Sequence, residues 1–549
     1  MVDHEHFHVV VVGSGFGGSV MALRLAEAHK NVCVLERGRN FPPGSFPRSP
    51  HALAQNVWDR SRGLTGLYDF WSFDHFEALV SSGLGGGSLI YANVLLRMPE
   101  EWFVTEHPDG TTTPWPVTRA ELEPHYHEVE RMLGATPYPP SYAGKTPKTI
   151  EFTKAAARAG LAEQEINLAV TFARPGDPER KGAPLGDQNL HHAPRETCRL
   201  CGECDLGCNY GSKNTMDLTY LSEAEQGANP PDIRARSEVV WIRPLDGGGF
   251  EVEYIEHPEH LDEKPRTEDQ YKHQTITAEK LVLAAGSLAT THLLLRNRSS
   301  FPDISPQLGS RFSGNGDLLA FLSGTTEMVD PSNGTVITSA LKVPDRLNGG
   351  TGRGFFIQDG GFPEFFNWFV QGFPTLGRLG RYGRFGARQV INHLRHNPRS
   401  EVSSELRNVL GRQRSAYSLP ILGMGRDTPD GVMTLRDDYL AINWSIHSSL
   451  GYFERVRDAF RRLGEQMGAR LKDTVLWRLR RVITVHPVGG CPMGHDEDEG
   501  VVNSFGEVFG YPGLVIADGS VLPGPAGANP SLTIAALAER FADNMIATW

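Results

Sequence analysis

The chain has 549 residues, enough for two large domains. Its 39% hydrophobic and 22% charged residues are ordinary for a soluble protein, and a net charge of −11 leaves no excess of Lys and Arg to neutralise nucleic-acid phosphates. No stretch approaches the roughly 18 apolar residues of a membrane span. The N-terminal residues 1–8 carry acids and histidines, unlike a secretory signal. We therefore expect a cytoplasmic protein with no nucleic-acid partner and, at most, peripheral membrane contact.

The start of the chain predicts a nucleotide-binding unit. The β-branched run 7–12 predicts a buried parallel strand, and 32–35 predicts a second one that ends at Glu36. Between them lies the glycine turn Gly13–Gly18, followed by a helical pattern. Its three spaced glycines allow a tight turn, a close approach to a pyrophosphate and close helix–strand packing, while Glu36 is placed to bind a ribose diol. This pattern predicts dinucleotide binding, without distinguishing NAD from FAD.

Later segments predict that the cofactor domain is discontinuous. The apolar runs 280–286 and 513–519 resemble further strands of the same sheet, and 533–546 predicts a helix. We therefore assign 1–110, 195–310 and 480–549 to the cofactor domain. The remaining parts, 111–194 and 311–479, form the substrate-binding domain, with strands predicted at 354–357 and 439–446 and a helix at 449–467.

Four of the six cysteines are clustered within eleven residues, at Cys198, Cys201, Cys204 and Cys208. Their spacing matches the ferredoxin-type iron–sulfur run, although Asn209 replaces the usual proline after the last cysteine. Structural zinc more often uses two separated pairs of ligands, and a cytoplasm disfavours stable disulfides. An iron–sulfur cluster is therefore our hypothesis, with zinc, a disulfide pair or free thiols as alternatives.

Four separated motifs carry a resemblance to a known family. They are the turn with Glu36, the loop 83–93 (GLGGGSLIYAN), the segment 285–291 (AGSLATT), and the C-terminal pair 486–491 (HPVGGC) and 518–530. Together they resemble the glucose–methanol–choline (GMC) oxidoreductases, and most closely their non-covalent cholesterol oxidase branch. The sequence departs from the family at Tyr91, where many members have Asn, and after the helix that follows 285–291.

The resemblance implies an α/β protein (α+β overall) with a discontinuous Rossmann-like FAD-binding domain and a second, mixed-sheet substrate-binding domain. It implies non-covalent FAD. The expected FAD-binding residues are Gly13, Gly15, Phe16, Gly17, Gly18, Glu36, Arg37, Gly85, Gly86, Gly87, Ser88, Asn93, Val239, Gly286, Asp518, Gly519 and Asn529.

The resemblance also implies an alcohol oxidation site at the flavin edge, with His486 and Asn529 as catalytic residues. Alcohol oxidation needs a proton acceptor near neutral pH, and imidazole suits it because its unperturbed pKa is roughly 6.5. A neutral amide at Asn529 can donate to a flavin or substrate oxygen. Cholesterol oxidases also use a buried glutamate, for which Glu364 is the nearest match. A turn-capping role for His486 and a surface position for Glu364 are the structural alternatives.

The aromatic segments 70–73 and 362–369 suit a bulky apolar substrate such as a sterol, or an ordinary core. The arginines of 378–399 suit an anionic membrane surface or a solvated face. The leading hypothesis is oxidation of a sterol-like alcohol, with oxygen or a one-electron carrier as acceptor. A sugar or polyol dehydrogenase with an iron–sulfur cluster and a flavin-binding redox sensor or electron-transfer protein are the alternatives.

Overall fold

The computed structural model describes residues 5–106, 111–259, 266–345, 353–361 and 416–549. The helices within these ranges, numbered in chain order, are α1 (Phe16–Glu27), α2 (Pro50–Gln55), α3 (Arg119–Met132), α4 (Pro140–Ala143), α5 (Pro147–Ala159), α6 (Tyr220–Gln226), α7 (Ser287–Arg296), α8 (Leu450–Gln466), α9 (Val475–Arg478) and α10 (Ser531–Ala547).

Most strands belong to three sheets. In chain order, the strands of these sheets are β1 (Glu5–Val12), β2 (Val32–Glu36), β3 (Tyr68–Ser72), β4 (Phe76–Ser81), β5 (Ala162–Gln164), β6 (Asp232–Ala235), β7 (Ser237–Pro244), β8 (Phe250–Glu256), β9 (Lys272–Leu283), β10 (Leu318–Ser323), β11 (Ala340–Val343), β12 (Phe355–Asp359), β13 (Ser418–Gly425), β14 (Arg470–Asp473), β15 (Val482–Thr484) and β16 (Leu514–Ile516).

The remaining strands form short ladders. They pair Trp58–Asp59 with Leu64–Thr65, Val104–Glu106 with Thr112–Pro114, Pro184–Gly186 with Arg195–Glu196, Val432–Arg436 with Tyr439–Asn443, and Asn167–Leu168 with both Thr136–Pro137 and Val94–Leu95.

The seven-stranded cofactor sheet has the order β6-β2-β1-β9-β8-β7, and β16 also pairs with β9. Its β6, β2, β1, β9 and β16 pairings are parallel, whereas β7 and β8 add an antiparallel edge. The valines of β1 are buried because helices cover the sheet, as expected for parallel strands. Its strands come from the start, middle and end of the chain.

The second large sheet has the order β5-β11-β12-β13-β10-β14 and is antiparallel throughout these strands. Helices α5 and α8 contribute Phe152, Phe453 and Phe460 to the core beside it. A smaller mixed sheet has the strand order β15-β4-β3. Its parallel β4–β15 pairing fixes the position of β15. The structure thus confirms the predicted fold class.

The predicted elements correspond to observed ones with shifts of a few residues. The strand predicted at 439–446 ends at Asn443, because the chain turns into a 3-10 helix at Ile446–Ser449 before α8 begins. The domain bounds stay a prediction. Among the described residues, no helix is long and apolar enough to cross a membrane. The arginine-rich segment 378–399 lies outside the described residues.

Candidate active site

The glycine turn after β1 combines tight packing with open space. A Cβ added at Gly13, whose φ is 96°, would lie 2.4 Å from the Ala284 oxygen, and one at Gly18 would lie 2.0 Å from the Gly13 oxygen. A Cβ at Gly15 would meet no other heavy atom within 4 Å. Helix α1 begins directly after it, at Phe16, with no side chain capping its first turn. The turn therefore leaves room at Gly15 and, at the start of α1, backbone N–H groups that no described side chain caps, which are the features of a phosphate site.

The second glycine loop lies against the first. A Cβ at Gly86 would lie 2.5 Å from Gly15 Cα, and Gly85 N donates a hydrogen bond to Ser14 Oγ at 3.0 Å. A Cβ at Gly87 would meet nothing within 4 Å. The two loops thus join into one cradle whose open faces lie at Gly15 and Gly87.

The Ser88 hydroxyl stabilises the second loop rather than projecting freely from it. It donates to the Gly85 oxygen at 2.7 Å and accepts from Met216 N at 2.9 Å. The Phe16 ring at the start of α1 meets Tyr91 edge to face, with 5.4 Å between ring centroids. These contacts hold the loop against α1.

Glu36 at the end of β2 is buried and accepts hydrogen bonds from its own chain. Its carboxylate accepts hydrogen bonds from Ser14 N at 3.1 Å, Ser14 Oγ at 2.7 Å and Gly38 N at 2.8 Å. Burial raises the pKa of this carboxyl, against the lowering by those hydrogen bonds and by Arg37. Glu36 therefore ties the glycine turn to the end of β2, and its predicted ribose contact stays a prediction.

Two other expected cofactor residues have identified protein partners. The Arg37 guanidinium forms a 2.5 Å ion pair with Asp69 and lies 4.7 Å from the centre of the Trp58 ring. Val239 lies in β7 opposite Tyr254. The cofactor contacts predicted for Arg37 and Val239 stay predictions.

The C-terminal motif is tied to the segment 285–291 by the buried Asp518. Its carboxylate accepts from Gly286 N at 2.9 Å, from Thr290 Oγ1 at 2.5 Å, and from Ser520 N and Oγ at 2.8 and 2.6 Å. Burial raises the pKa of this carboxyl. A Cβ at Gly286, whose φ is 89°, would meet nothing within 4 Å. Asp518 is thus used to join two loops, and Gly286 adds a third open face.

These features fit FAD. The free N–H groups at the start of α1 suit a pyrophosphate. The glycines with open space, Gly15, Gly87 and Gly286, lie on the two motifs and the turn that the family resemblance assigns to the cofactor. Any side chain at these three positions would occupy that space.

His486 lies two residues after β15 ends and is partly buried, with 16% of its side chain exposed. Its Nδ1 lies 2.9 and 3.0 Å from the two carboxylate oxygens of Asp317. No described residue forms a hydrogen bond with its Nε2. Gly489 N donates to the Gly519 oxygen at 3.0 Å, which joins the histidine loop to the Asp518 loop. The imidazole is therefore anchored on one nitrogen and free on the other.

Asn529 is buried in the loop just before α10. Its Oδ1 accepts a hydrogen bond from Gln358 Nε2 at 2.8 Å, and no described residue pairs with its Nδ2. Gln358 belongs to β12 in the second sheet and is itself fully buried. The Asn529 NH2 group, which the sequence predicts to donate a hydrogen bond, is thus free to do so.

The segment 313–317 (SGNGD) brings the histidine loop and the asparagine loop together. Asn315 Nδ2 donates to the Ala528 oxygen at 2.9 Å, and Gly527 N donates to Asn315 Oδ1 at 2.8 Å. Two residues later, Asp317 contacts His486. The sequence analysis missed this segment. Its signal is the glycine-alternating polar run, and Asn315 adopts a φ of 54°, which Asn tolerates better than most residues.

A second buried carboxylate, Asp427, holds the same segment. It accepts a short hydrogen bond from Ser313 Oγ and one from Gly314 N at 3.1 Å. Burial raises its pKa from 3.8 to about 7. Asp427 therefore stabilises the segment without contacting His486.

The four clustered cysteines are free thiols that line one small cavity. Burial raises the pKa of the Cys198, Cys201 and Cys204 thiols. Within the described ranges, no group of three or more His, Cys, Asp or Glu side chains has the geometry to hold a metal ion. The structure therefore gives the predicted iron–sulfur cluster no support, although the sequence spacing does gather the thiols around one space.

Asn93 lines this cysteine cavity. It is buried with a φ of 68°, and neither atom of its side-chain amide has a hydrogen-bond partner among the described residues. Lys213 lies beside it, where its ammonium donates to the backbone oxygens of Leu89, Tyr91 and Cys204, and burial lowers its pKa to about 8. This position does not by itself support the flavin contact predicted for Asn93, which stays a prediction.

Two other predicted features contribute little to this geometry. Glu364 and the aromatic run 362–369 lie outside the described residues. In the segment 70–73, Phe70 is 55% exposed, whereas Phe73 stacks on Phe76 in the core beside the six-stranded sheet. Phe73 is thus an ordinary core residue.

Comparisons with known proteins agree with the predicted family. Residues 452–538 match the C-terminal model of the GMC oxidoreductases, and 11–46 match a NAD(P)-binding Rossmann-like domain. The chain is 30% identical to a cholesterol oxidase of Mycobacterium tuberculosis over 98% of this chain and 90% of the relative. It is 28% identical to a cholesterol oxidase of Acinetobacter baumannii over 98% and 94% of the two chains.

A solved structure has the same fold at lower identity. Pyridoxine 4-oxidase from Mesorbium loti superimposes with a TM-score of 0.58 at 18% identity, covering 98% of both chains. With the Rossmann-like sheet, the open glycine cradle and a relative at 30% identity along nearly its whole length, the chain belongs to the GMC oxidoreductases, flavoproteins that act on the CH–OH group of alcohols.

Proposed function

We propose that this protein oxidises a bulky apolar secondary alcohol of sterol size to the ketone, with non-covalent FAD, at a site built around His486 and Asn529. The observation that carries the proposal is the segment 313–317, which hydrogen-bonds the asparagine loop through Asn315 and contacts His486 through Asp317. This segment therefore ties together the two loops that carry the proposed imidazole acceptor and amide donor.

In this proposal, His486 accepts the hydroxyl proton of the substrate on Nε2, because that nitrogen has no partner among the described residues. Asn529 donates from Nδ2 to an oxygen of the substrate or flavin, and so stabilises negative charge without introducing a competing charge. FAD, when bound, supplies the hydride acceptor. Glu364 stays the proposed additional carboxylate of the site.

The sterol-sized substrate is proposed from the relatives that are cholesterol oxidases, at 28 to 30% identity. The test is anaerobic mixing of the holoprotein with cholesterol, other 3-hydroxysterols, long-chain alcohols, polyols and glucose, while the flavin absorbance is followed. We expect 3-hydroxysterols to bleach the flavin fastest. Rapid bleaching by glucose or a polyol, with none by any 3-hydroxysterol, would replace the sterol proposal with the sugar or polyol dehydrogenase.

The electron acceptor is proposed to be oxygen or a one-electron carrier, and the cysteine loop decides between them. Iron and inorganic sulfide in anaerobically purified protein, both lost in Cys201→Ser, would establish a cluster and favour the carrier. Protein free of iron and sulfide that forms peroxide with substrate would establish the oxidase.

We also propose that the domains divide at the bounds predicted from the sequence. The cofactor sheet takes its strands from 5–36, 232–283 and 514–516, and the six-stranded sheet takes its strands from 162–164 and 318–473. Helix α3 belongs to the predicted substrate-binding part but packs against α10 of the predicted cofactor part, where Tyr126 Oη lies 2.9 Å from Thr533 Oγ1. The boundary near residue 110 is therefore the one that most needs a test. Limited proteolysis with fragment mass analysis tests these bounds.

A further inference from the structure

Asp317 lies immediately before β10 and is almost completely buried, with 2% of its side chain exposed. Its Oδ2 accepts a hydrogen bond from Val485 N at 2.9 Å and lies 3.0 Å from Thr484 Oγ1. These contacts hold the carboxylate in one orientation beneath the loop that follows β15. The other carboxylate oxygen, Oδ1, lies 2.9 Å from His486 Nδ1, slightly closer than Oδ2 at 3.0 Å.

This geometry determines which imidazole nitrogen carries the proton. An ionised carboxylate only accepts hydrogen bonds, so His486 Nδ1 must be the donor in its contact with Asp317. In the neutral ring the other nitrogen, Nε2, then has a free lone pair. Asp317 thus selects the tautomer in which His486 can accept a proton from a substrate.

Gln358 imposes the corresponding choice on Asn529. Its Nε2 donates to Asn529 Oδ1 at 2.8 Å, so the Asn529 amide must direct its NH2 group away from Gln358. Gln358 Oε1 is buried without a hydrogen-bond partner among the described residues. A buried amide with one free acceptor is costly, as expected where polarity is kept for a function.

The same sheet presents both residues. Leu318 in β10 and Ile357 in β12 pair with the same residue of the strand between them, Gly423 in β13. Asp317 and Gln358 therefore each lie one residue from a common row across this sheet. The sheet of the second domain faces the loops of the first through these two polar groups.

We propose that Asp317 and Gln358 are positioning residues of the alcohol oxidation site: Asp317 holds His486 as the Nδ1–H tautomer, and Gln358 holds Asn529 with its NH2 group free. This inference rests on the proposed roles of His486 and Asn529. It assigns to the second domain a direct part in setting the acceptor and donor of the reaction, in addition to enclosing the substrate.

The tautomer is tested directly by long-range ¹H–¹⁵N NMR of protein labelled at histidine nitrogens, with the His486 signals identified by their loss in His486→Ala. We expect the Nδ1–H pattern in the wild-type holoprotein. In Asp317→Asn the introduced amide oxygen stays on Val485 N and the NH2 group faces Nδ1, so we expect conversion to Nε2–H. An Nε2–H pattern in the wild type would overturn the assignment without any need for a variant.

The kinetic test uses anaerobic flavin reduction by whichever alcohol of the substrate panel bleaches the flavin. Asp317→Asn should slow reduction by about 10²- to 10⁴-fold, as expected when a general base is lost, with FAD content unchanged. Combined with His486→Ala it should add little, because Asp317 acts through that ring. If Asp317→Asn slowed flavin reduction equally in the wild-type protein and in His486→Ala, Asp317 would have only a structural role.

Gln358→Glu and Gln358→Leu test the second residue in the same way. The carboxylate introduced by Gln358→Glu only accepts hydrogen bonds, so it should turn the Asn529 amide around, whereas the aliphatic side chain introduced by Gln358→Leu leaves that amide unanchored. Both variants should slow flavin reduction in the wild-type background and have little effect in Asn529→Ala. Slowing that is unchanged by Asn529→Ala, or wild-type rates in both variants, would overturn the role of Gln358.

The matched control is Glu253→Gln, which alters another histidine–carboxylate contact, 2.5 Å from Glu253 Oε1 in β8 to His273 Nδ1 in β9, at the antiparallel edge of the cofactor sheet. This variant should reduce its flavin at the wild-type rate. The outcomes are also separable from those of the proposed function. If His486→Ala and Asn529→Ala reduce their flavin at the wild-type rate, the proposed site is wrong. If they are slow while Asp317→Asn and Gln358→Glu are not, only the positioning inference is wrong.

Discussion

At the scale of single residues, His486 and Asn529 share one property. Each has one side-chain polar atom hydrogen-bonded to a residue of the segment 317–358, and its other side-chain polar atom has no partner among the described residues. A residue that serves only to cap a turn would direct its hydrogen bonds into its own loop. His486 does not, because its ring nitrogen contacts a carboxylate 169 positions away in the sequence. This arrangement favours a role in chemistry over the structural alternative.

We expect His486→Ala to retain FAD and to lose about 10²- to 10⁴-fold in the rate of substrate-driven flavin reduction, because the site loses its proton acceptor. The measurement is anaerobic stopped-flow absorbance. His495→Ala is the control, since His495 is exposed nine residues later and its Nε2 lies 3.3 Å from the Pro114 oxygen. Wild-type reduction in His486→Ala would remove this residue from the mechanism.

Asp427 predicts a dependence of stability on pH. Burial raises its folded-state pKa from 3.8 to about 7. The folded protein therefore binds this proton more tightly than the unfolded chain does, and the stability that Asp427 contributes is lost as the pH rises through about 7. We expect Asp427→Asn to melt above the wild type near pH 8, with the difference shrinking towards about pH 4.

Thermal melts across this pH range measure the effect. The exposed Asp458, which is paired with Arg461 at the surface, provides the control substitution Asp458→Asn. A melting temperature that stays higher for the wild type than for Asp427→Asn above pH 7 would contradict the raised pKa of Asp427.

At the scale of elements, different glycines of the turn 13–18 allow close packing and leave space for a ligand. Gly15 and Gly17 are two residues apart, yet a Cβ at Gly17 would lie 1.6 Å from the Ala517 oxygen, whereas one at Gly15 would meet nothing within 4 Å. Helix α1 must approach the end of β16 closely at Gly17, and it must leave room at Gly15.

We therefore expect different results from Gly15→Ala and Gly17→Ala. Gly15→Ala should fold with little change in the stability of the FAD-free protein and should bind FAD weakly, because its methyl group occupies the cofactor space. Gly17→Ala should lower the stability of the FAD-free protein as well, because α1 has to shift from β16. Melting temperatures of FAD-free protein and FAD titrations distinguish the two, and equal loss of apoprotein stability would contradict this division.

At the scale of the whole molecule, the cofactor cradle is assembled from the turn after β1, the loop 83–93 and the segments tied by Asp518. We expect the protein to purify yellow, with one FAD per chain that is released when the protein is denatured. Absorbance of the supernatant after acid precipitation measures the release. Flavin that stays with the precipitate, or NAD as the bound nucleotide, would contradict it.

The sequence by itself determined the family, the cofactor class, the fold class and the identity of the local motifs. The family, and with it FAD, follows from the resemblance carried by four separated motifs. The dinucleotide-binding unit follows from short-range properties, since a strand, a glycine turn, a helix and a terminal acid are specified within the first 36 residues and need no distant partner. The clustering of the four cysteines around one cavity also follows from their spacing within a single loop.

Only the tertiary structure decided which groups surround His486 and Asn529. Asp317, Gln358 and Asn315 reach their partners across 169, 171 and 212 positions in the sequence. Those contacts depend on the strand order of the six-stranded sheet and on the register of β10 and β12 with β13, which no local pattern specifies. The same holds for the protein partners of Glu36 and Asp518, which are Ser14, Gly38, Gly286 and Ser520, while their predicted cofactor contacts stay predictions. A buried carboxylate needs hydrogen-bond donors, and which donors are near depends on how distant segments pack.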